Sequence, residues 1–163
     1  MKVAAVIPAY NEELTIGDVV STLRQCELID EVLVVSDASE DQTATIASAA
    51  GARVLEHESN QGKAGAMKTG FEATDANVVL FLDADLTGLT PAHVKLLLLP
   101  VVRGEADMTV GVFDDGRRAT DLAQLVAPYL SGQRAVRREI MADMFRHSPD
   151  ADVSRFGIEV ALT

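Results

Sequence analysis

Apolar residues fall in short, nearly unbroken runs separated by longer amphipathic stretches. Val3–Ile7, Glu31–Val35 and Val78–Leu82 are dominated by Val, Ile, Leu and Ala, the pattern of strands covered on both faces of a parallel sheet. Ala52–Leu55 and Met108–Val112 read as two further short strands. Between these runs the spacing becomes helical. Within Glu12–Arg24, the residues Leu14, Ile16, Val19, Val20 and Leu23 lie mostly on one stripe, which predicts an amphipathic helix. Asp41–Ala50 is Ala-rich and stops at Gly51, with Asp41 as its N-cap or first-turn acid, and Lys63–Ala73 is another helical stretch. Thr90-Pro91 supplies a cap and first turn for a helix through about Val102. Strand–helix alternation of this kind predicts a single α/β domain with a mainly parallel central sheet.

Composition narrows the function by exclusion. The chain has 163 residues, 48% of them hydrophobic, and 14 basic against 25 acidic residues leave a net charge of −11. So acidic a surface excludes a general nucleic-acid partner and offers no attraction to an anionic membrane. One cysteine, Cys26, excludes an internal disulfide and a Cys-rich zinc site, and reads as a packing residue. No apolar run approaches the ~20 residues that span a bilayer. Met1-Lys2 leads straight into the first strand-like run, so no secretory signal is visible and the expected address is the cytoplasm, with peripheral association at the inner membrane face left open.

Two stretches break the alternation. Phe113–Ala127 is polar, with weak periodicity, and reads as a loop. Six of the fourteen basic residues lie between Arg117 and Arg146. That concentration reads either as a local anion site or, for Arg137, Arg138 and Arg146, as a solvated helix face. Phe156–Leu162 reads like the middle of an element, so the sequence is expected to be part of a longer chain, and pairing of this element between two chains as a homodimer stays open.

In an open parallel sheet, ligands bind beyond the carboxyl ends of the strands. Pro8-Ala9-Tyr10-Asn11-Glu12 follows the first strand, Ser36-Asp37-Ala38-Ser39-Glu40-Asp41 the second, and Asp83-Ala84-Asp85 the one ending at Leu82. All three bring carboxylates to one edge. Clustered carboxylates repel and call for a compensating cation or ligand. An acidic, oxygen-rich set without thiolates suits Mg²⁺ or Mn²⁺, completed by substrate phosphates.

These segments carry a family resemblance. Val6-Ile7-Pro8-Ala9-Tyr10-Asn11-Glu12-Glu13 resembles the opening motif of family 2 glycosyltransferases of the GT-A fold. Ser36–Thr43 resembles their "DDGSTDGT" segment, Asn60–Ala66 their "N-x-G-K-x-x-A" turn, and Asp83-Ala84-Asp85 their D-x-D motif. The resemblance implies that residues 1–112 form a nucleotide-sugar-binding half and residues 113–163 an acceptor-side half. It implies a nucleotide pocket lined by Pro8, Ala9, Tyr10 and Glu12, with Glu12 toward the ribose. Asp37 would accept from the base, Lys63 would face the nucleotide or its phosphates, Asp83 would lie near the ribose or metal, and Asp85 would ligate a Mg²⁺ or Mn²⁺ bridging the diphosphate. The helix start at Gly62–Ala66 can also offer backbone N–H groups to an anion.

Pro128–Glu139 resembles the "P-L-S-G-x-R-A-x-R-R" segment of a bacterial branch related to glucosyl-3-phosphoglycerate and dolichol-phosphate mannose synthases. This implies that Ser131, Gly132, Gln133 and Arg134 contact the acceptor. Phe156-Gly157-Ile158-Glu159 resembles their "Y-G-x-E" segment, which makes Glu159 the candidate catalytic base alongside Asp85. Relatives add a downstream His as a further metal ligand, and His57, His93 and His147 are poorly placed to replace it. The reading is an inverting hexosyl transfer from a UDP- or GDP-linked donor to a hydroxyl or phosphate acceptor. The local arginines suit an anionic acceptor such as phosphoglycerate or a polyprenyl phosphate. One rival is a non-catalytic nucleotide-sugar-binding domain. A sugar nucleotidyltransferase is disfavoured because Pro8–Glu12 contains no glycine, and a receiver-like domain does not explain the ordered motifs.

Overall fold

A computed structural model describes residues 1–113, 133–147 and 157–162. The strands are β1 (Val3–Ala9), β2 (Glu31–Ser36), β3 (Arg53–Glu56), β4 (Val78–Phe81), β5 (Met108–Phe113), β6 (Arg134–Arg137) and β7 (Gly157–Leu162). The helices among the described residues are α1 (Ile16–Arg24), α2 (Thr43–Ala49), α3 (Gly62–Glu72), α4 (Pro91–Val102) and α5 (Arg138–His147). The strands form one seven-stranded sheet in the order β3-β2-β1-β4-β6-β5-β7. All pairings are parallel except those of β6, which runs antiparallel to both β4 and β5.

The unbroken apolar strands are explained by burial on both faces. On one face Ala5, Ile7, Val34 and Leu80 pack with Ile16, Val19, Val20 and Leu23 of α1 and Val94, Leu97, Leu98 and Val101 of α4. On the other, Val6, Leu33, Val79 and Phe81 pack with Met67 and Phe71 of α3 and Met141 of α5. Cys26 is buried in the first of these cores. The result is a three-layer α/β/α sandwich, as the alternation predicts.

Three expectations are corrected. Helix α1 begins at Ile16 rather than Glu12, because residues 12–15 form a turn in which the Glu12 carbonyl accepts from the N–H groups of Thr15 and Ile16. Leu14 therefore leaves the apolar stripe and is 90% exposed. Asp41 lies one residue before the N-cap Gln42, yet still accepts from the Thr43 N–H at 2.9 Å. Arg137 ends strand β6 instead of lying on a solvated helix face. Four residues cross the sheet, so Arg134 stands at its carboxyl edge opposite Phe81, and Arg137 at its amino edge opposite Val78. Arg137 pairs with Asp107 and Glu139, Arg138 lies over the Phe71 ring at 4.3 Å, and Arg146 pairs with Asp143. The described arginines thus do not gather into one anion site; Arg117 and Arg118 lie outside the described residues.

Helix α3 lies unusually close to the sheet. A Cβ built on Gly70 would sit 2.3 Å from Val6 Cγ1 and 3.2 Å from Val35 Cγ2, both in buried strand residues. Gly70→Ala must push α3 outward, and is expected to cost ~2 kcal/mol and roughly 4–8 °C in Tm by thermal unfolding. An unchanged Tm would show that this contact relaxes without cost.

Candidate active site

Parallel strands end on the same side, and here β1, β2 and β4 deliver their polar loops to one open cleft of about 390 Å³. It is lined by Pro8, Ala9, Tyr10, Glu12, Asp37, Asn60, Gly62, Lys63, Ala66, Asp83, Ala84 and Asp85. Every donor-side residue expected from the motifs is in this lining. Two larger hollows, of about 580 and 500 Å³, open around Met1, Asn77 and Arg137 and around Lys2, Glu31 and Arg53. They lie at the amino edge of the sheet, where Glu31 and Arg53 open β2 and β3, and their charged groups pair with one another, as in Lys2–Glu31 at 3.4 Å and Arg53–Glu31 at 3.2 Å.

The loops after β1 and β2 are stitched into one unit. Asn11 Oδ1 accepts from the Glu40 N–H at 2.8 Å, and the Asn11 N–H donates to Ser39 Oγ at 3.1 Å. The Glu12 N–H donates to the buried Thr43 hydroxyl at 2.8 Å, and that hydroxyl bonds Asp41. Glu13 Oε2 accepts from the Gln42 N–H at 3.1 Å. Two non-glycine residues in this unit have left-handed backbones, Asn11 at φ 53° and Ala38 at φ 60°. Asn tolerates that region through its local hydrogen bonds, whereas Ala has no such compensation. Ala38 stands where the family motif carries Gly, so the strain explains the usual residue.

Asp37 is almost buried and anchored on three sides. Its Oδ1 accepts from the Gln61 N–H at 2.8 Å and from His57 Nδ1 at 2.7 Å, and its Oδ2 accepts from the Gly62 N–H at 2.8 Å. Burial pushes its carboxyl up, but the Gln61 N–H, the His57 ring and the Gly62 N–H together hold it below the ordinary value of 3.8. The leading N–H of α3 is therefore spent on the protein's own carboxylate. Gly62 makes this possible with φ 78°, a conformation suited to glycine.

Asp83 is also engaged. One carboxylate oxygen pairs with Lys63 Nζ, and the other accepts from Gln133 Nε2 at 3.1 Å. Gln133 reaches it because β6 is antiparallel and so begins at the carboxyl edge. Arg134 follows; burial lowers its guanidinium from the ordinary value, and the Asp83 charge opposes that shift. Gln133, expected at the acceptor, thus bonds directly to a carboxylate expected on the donor side, and β6 places its segment in the same sheet as β1–β4. Ser131 and Gly132 lie outside the described residues. Glu159 is in β7, its backbone in register with Val110 of β5.

Glu12 and Asp85 are left facing the cleft without a cationic partner in the described residues. Burial pushes the Glu12 carboxyl up, and the Asp85 and Asp41 charges push the same way against the Thr15 hydroxyl. Among the described residues no three His, Cys, Asp or Glu side chains gather closely enough to hold a metal by themselves. The Asp85 carboxylate, exposed on the cleft, is the oxygen donor that a hard divalent cation takes when ligand oxygens complete its shell. His57, bound to Asp37 and Thr69, and His93, in the α4 capping box with Thr90, are committed elsewhere. No helix among the described residues is long and apolar enough to cross a membrane.

The strand order, the one antiparallel strand among the described residues and the carboxylates converging at the sheet's carboxyl edge define a GT-A-type domain. The chain belongs to glycosyl transferase family 2, whose model matches residues 4–156. Glucosyl-3-phosphoglycerate synthase of Mycobacterium tuberculosis is 30% identical to it over 197 residues, covering 98% of this chain and 59% of that protein. A protein of the same name from Petrotoga mobilis is 26% identical over 183 residues, covering 86% and 55%. The chain therefore spans less than two thirds of the length of these relatives. The crystal structure of the M. tuberculosis synthase with Mn²⁺, UDP-glucose and phosphoglyceric acid matches at a TM-score of 0.74 and 29% identity, covering 98% of this chain and 69% of that one. Its complex with phosphoglyceric acid gives 0.76 at 28% identity, covering 99% and 70%.

Proposed function

We propose that this domain binds UDP-glucose in the Asp37–Asp85 cleft and transfers the glucosyl group to an anionic acceptor, phosphoglycerate in the first instance. The observation that carries this reading is the convergence of Asp37, Asp83 and Asp85, from two strand ends, on one cleft in a family 2 chain. The M. tuberculosis relative, crystallised with UDP-glucose, Mn²⁺ and phosphoglyceric acid, supports the choice of donor and acceptor.

Pro8, Ala9 and Tyr10 wall the nucleotide, Asp37 accepts from the base and Glu12 lies toward the ribose. Asp85 would hold Mg²⁺ or Mn²⁺, which when bound would supply positive charge to neutralise a departing diphosphate. Lys63, half-exposed on its Asp83 pair, can turn to a phosphate. The acceptor oxygen bonds to the anomeric carbon as the bond to the diphosphate breaks. Glu159 takes or orients the acceptor's hydroxyl proton, and Ser131, Gly132, Gln133 and Arg134 position the acceptor. Where the attacking group is itself a phosphate, no strong base is needed and Glu159 only positions it.

Incubation with UDP-glucose, Mn²⁺ and phosphoglycerate tests this reading, with products read by mass spectrometry and the anomeric proton by NMR. UDP and a glucosylated phosphoglycerate are expected, with inverted configuration if a single displacement operates. Retained configuration would remove Glu159 from the role of base in a direct displacement. Transfer only to polyprenyl phosphate would move the acceptor assignment. Donor binding with no transfer to either would favour a binding domain.

A further inference from the structure

The loop after β3 contributes a buried side chain that no motif accounts for. His57 is fixed at three points. Its backbone N–H donates to the Ser36 carbonyl at 2.9 Å, Nδ1 lies 2.7 Å from Asp37 Oδ1, and Nε2 lies 2.9 Å from Thr69 Oγ1 on α3. Its side chain is 7% exposed. Asp37 is held ionised and can only accept, so Nδ1 carries a proton toward Oδ1, and Nε2 bonds the Thr69 hydroxyl, which can take either role.

A carboxylate offers about four lone-pair positions. Two on Oδ1 are filled by His57 and the Gln61 N–H, and one on Oδ2 by the Gly62 N–H. By this count one position remains, on Oδ2 of a residue that lines the cleft. Uracil presents a single N–H on its pairing edge. Guanine presents two donors side by side, an N–H and an amino group, and a carboxylate meets both only by offering both oxygens. We propose that His57, locked by Thr69, is a specificity-determining residue. By occupying Oδ1 it leaves Asp37 one acceptor position and selects a uracil over a guanine nucleotide. This rests on the nucleotide reading of the cleft given above. Without the His57 proton, Oδ1 regains a lone pair and the guanine amino group gains a partner.

The test is calorimetric titration of the protein with UDP and with GDP, each with Mn²⁺. Wild type is compared with His57→Ala, His57→Asn and Thr69→Val. Wild type is expected to prefer UDP, and His57→Ala to lose about tenfold of that preference, the scale of one buried hydrogen-bonding group left unmatched. His57→Asn, whose amide can donate from nearly the position of Nδ1, is expected to restore the preference. Thr69→Val keeps the ring but frees it to turn, and should lower the UDP:GDP ratio in the same direction. It carries the test if His57→Ala does not fold. Equal loss of both affinities, or an unchanged ratio in His57→Ala and Thr69→Val, would make His57 a purely structural residue and overturn the proposal. A wild type that prefers GDP would also overturn it. A wild type that binds neither nucleotide would overturn the nucleotide reading itself, and the proposal with it.

Discussion

Asp85→Ala is expected to lower transfer from UDP-glucose by about 100-fold or more, since a bound divalent cation contributes several kcal/mol of charge stabilisation at a leaving phosphate. The physical basis is the division of labour among the cleft carboxylates. Asp83 is already paired with Lys63 and bonded by Gln133, and Asp37 has three donors of its own. Asp85 is exposed to the cleft and repels Glu12, whose carboxyl is pushed up by burial and then by that neighbouring charge. A cation relieves both effects. The variant should keep its thermal stability, because Asp85 supports no described hydrogen bond, and should lose the difference between UDP binding with and without Mn²⁺. Initial rates and paired titrations measure both. Wild-type turnover in Asp85→Ala would remove the metal assignment.

The second large effect is expected at Asp37, where affinity and stability move together. Asp37→Asn keeps the shape and one acceptor oxygen. Its amide, however, points an N–H at the Gly62 N–H or at the base, two donors facing each other. UDP affinity should fall about 10- to 100-fold, the scale of a buried polar group left unsatisfied. Stability should also fall, with a specific pH signature. Asp37 has a folded-state value below the ordinary 3.8, so its ionised form stabilises the fold above that pH and the contribution is lost as pH falls through the lower folded value. The stability gap between wild type and Asp37→Asn is therefore expected to be full at neutral pH and to narrow below about pH 4. Denaturant unfolding at several pH values checks this. A gap independent of pH would mean that the ionised carboxylate is not what the surrounding donors stabilise.

Much of this architecture is legible in the residues because burial on both faces leaves a simple mark. β1, β2 and β4 read as unbroken apolar runs, and Thr90-Pro91 announces α4 through its own capping chemistry. Two placements escaped for physical reasons. β6 is only four residues, Arg-Ala-Val-Arg, and is a strand because β4 and β5 pair with it on both sides; nothing local separates it from the helix that follows. Leu14 fits the helical period, but tertiary hydrogen bonds from the neighbouring loop start the helix later. The cleft carboxylates were legible as a group since strand ends share an edge. Their individual states were not, because Lys63, Gln133 and His57 reach them from sequence-distant segments. His57 in particular carries no local signal: its role depends on β3 and α3 bringing it between Asp37 and Thr69. The left-handed backbone at Ala38, where the motif carries Gly, has no local signal in an alanine.

The proposed nucleotide role of the Asp37–Asp85 cleft is tested most directly by thermal unfolding with UDP, in the presence and absence of Mn²⁺. At 100 times its dissociation constant a ligand adds about 2.7 kcal/mol of stability, roughly 5–11 °C for a domain of this size. The expected result is a shift of this order with UDP and Mn²⁺ together and a much smaller one with UDP alone. No shift under either condition would contradict the assignment of Asp37 and Asp85 to a nucleotide-sugar site.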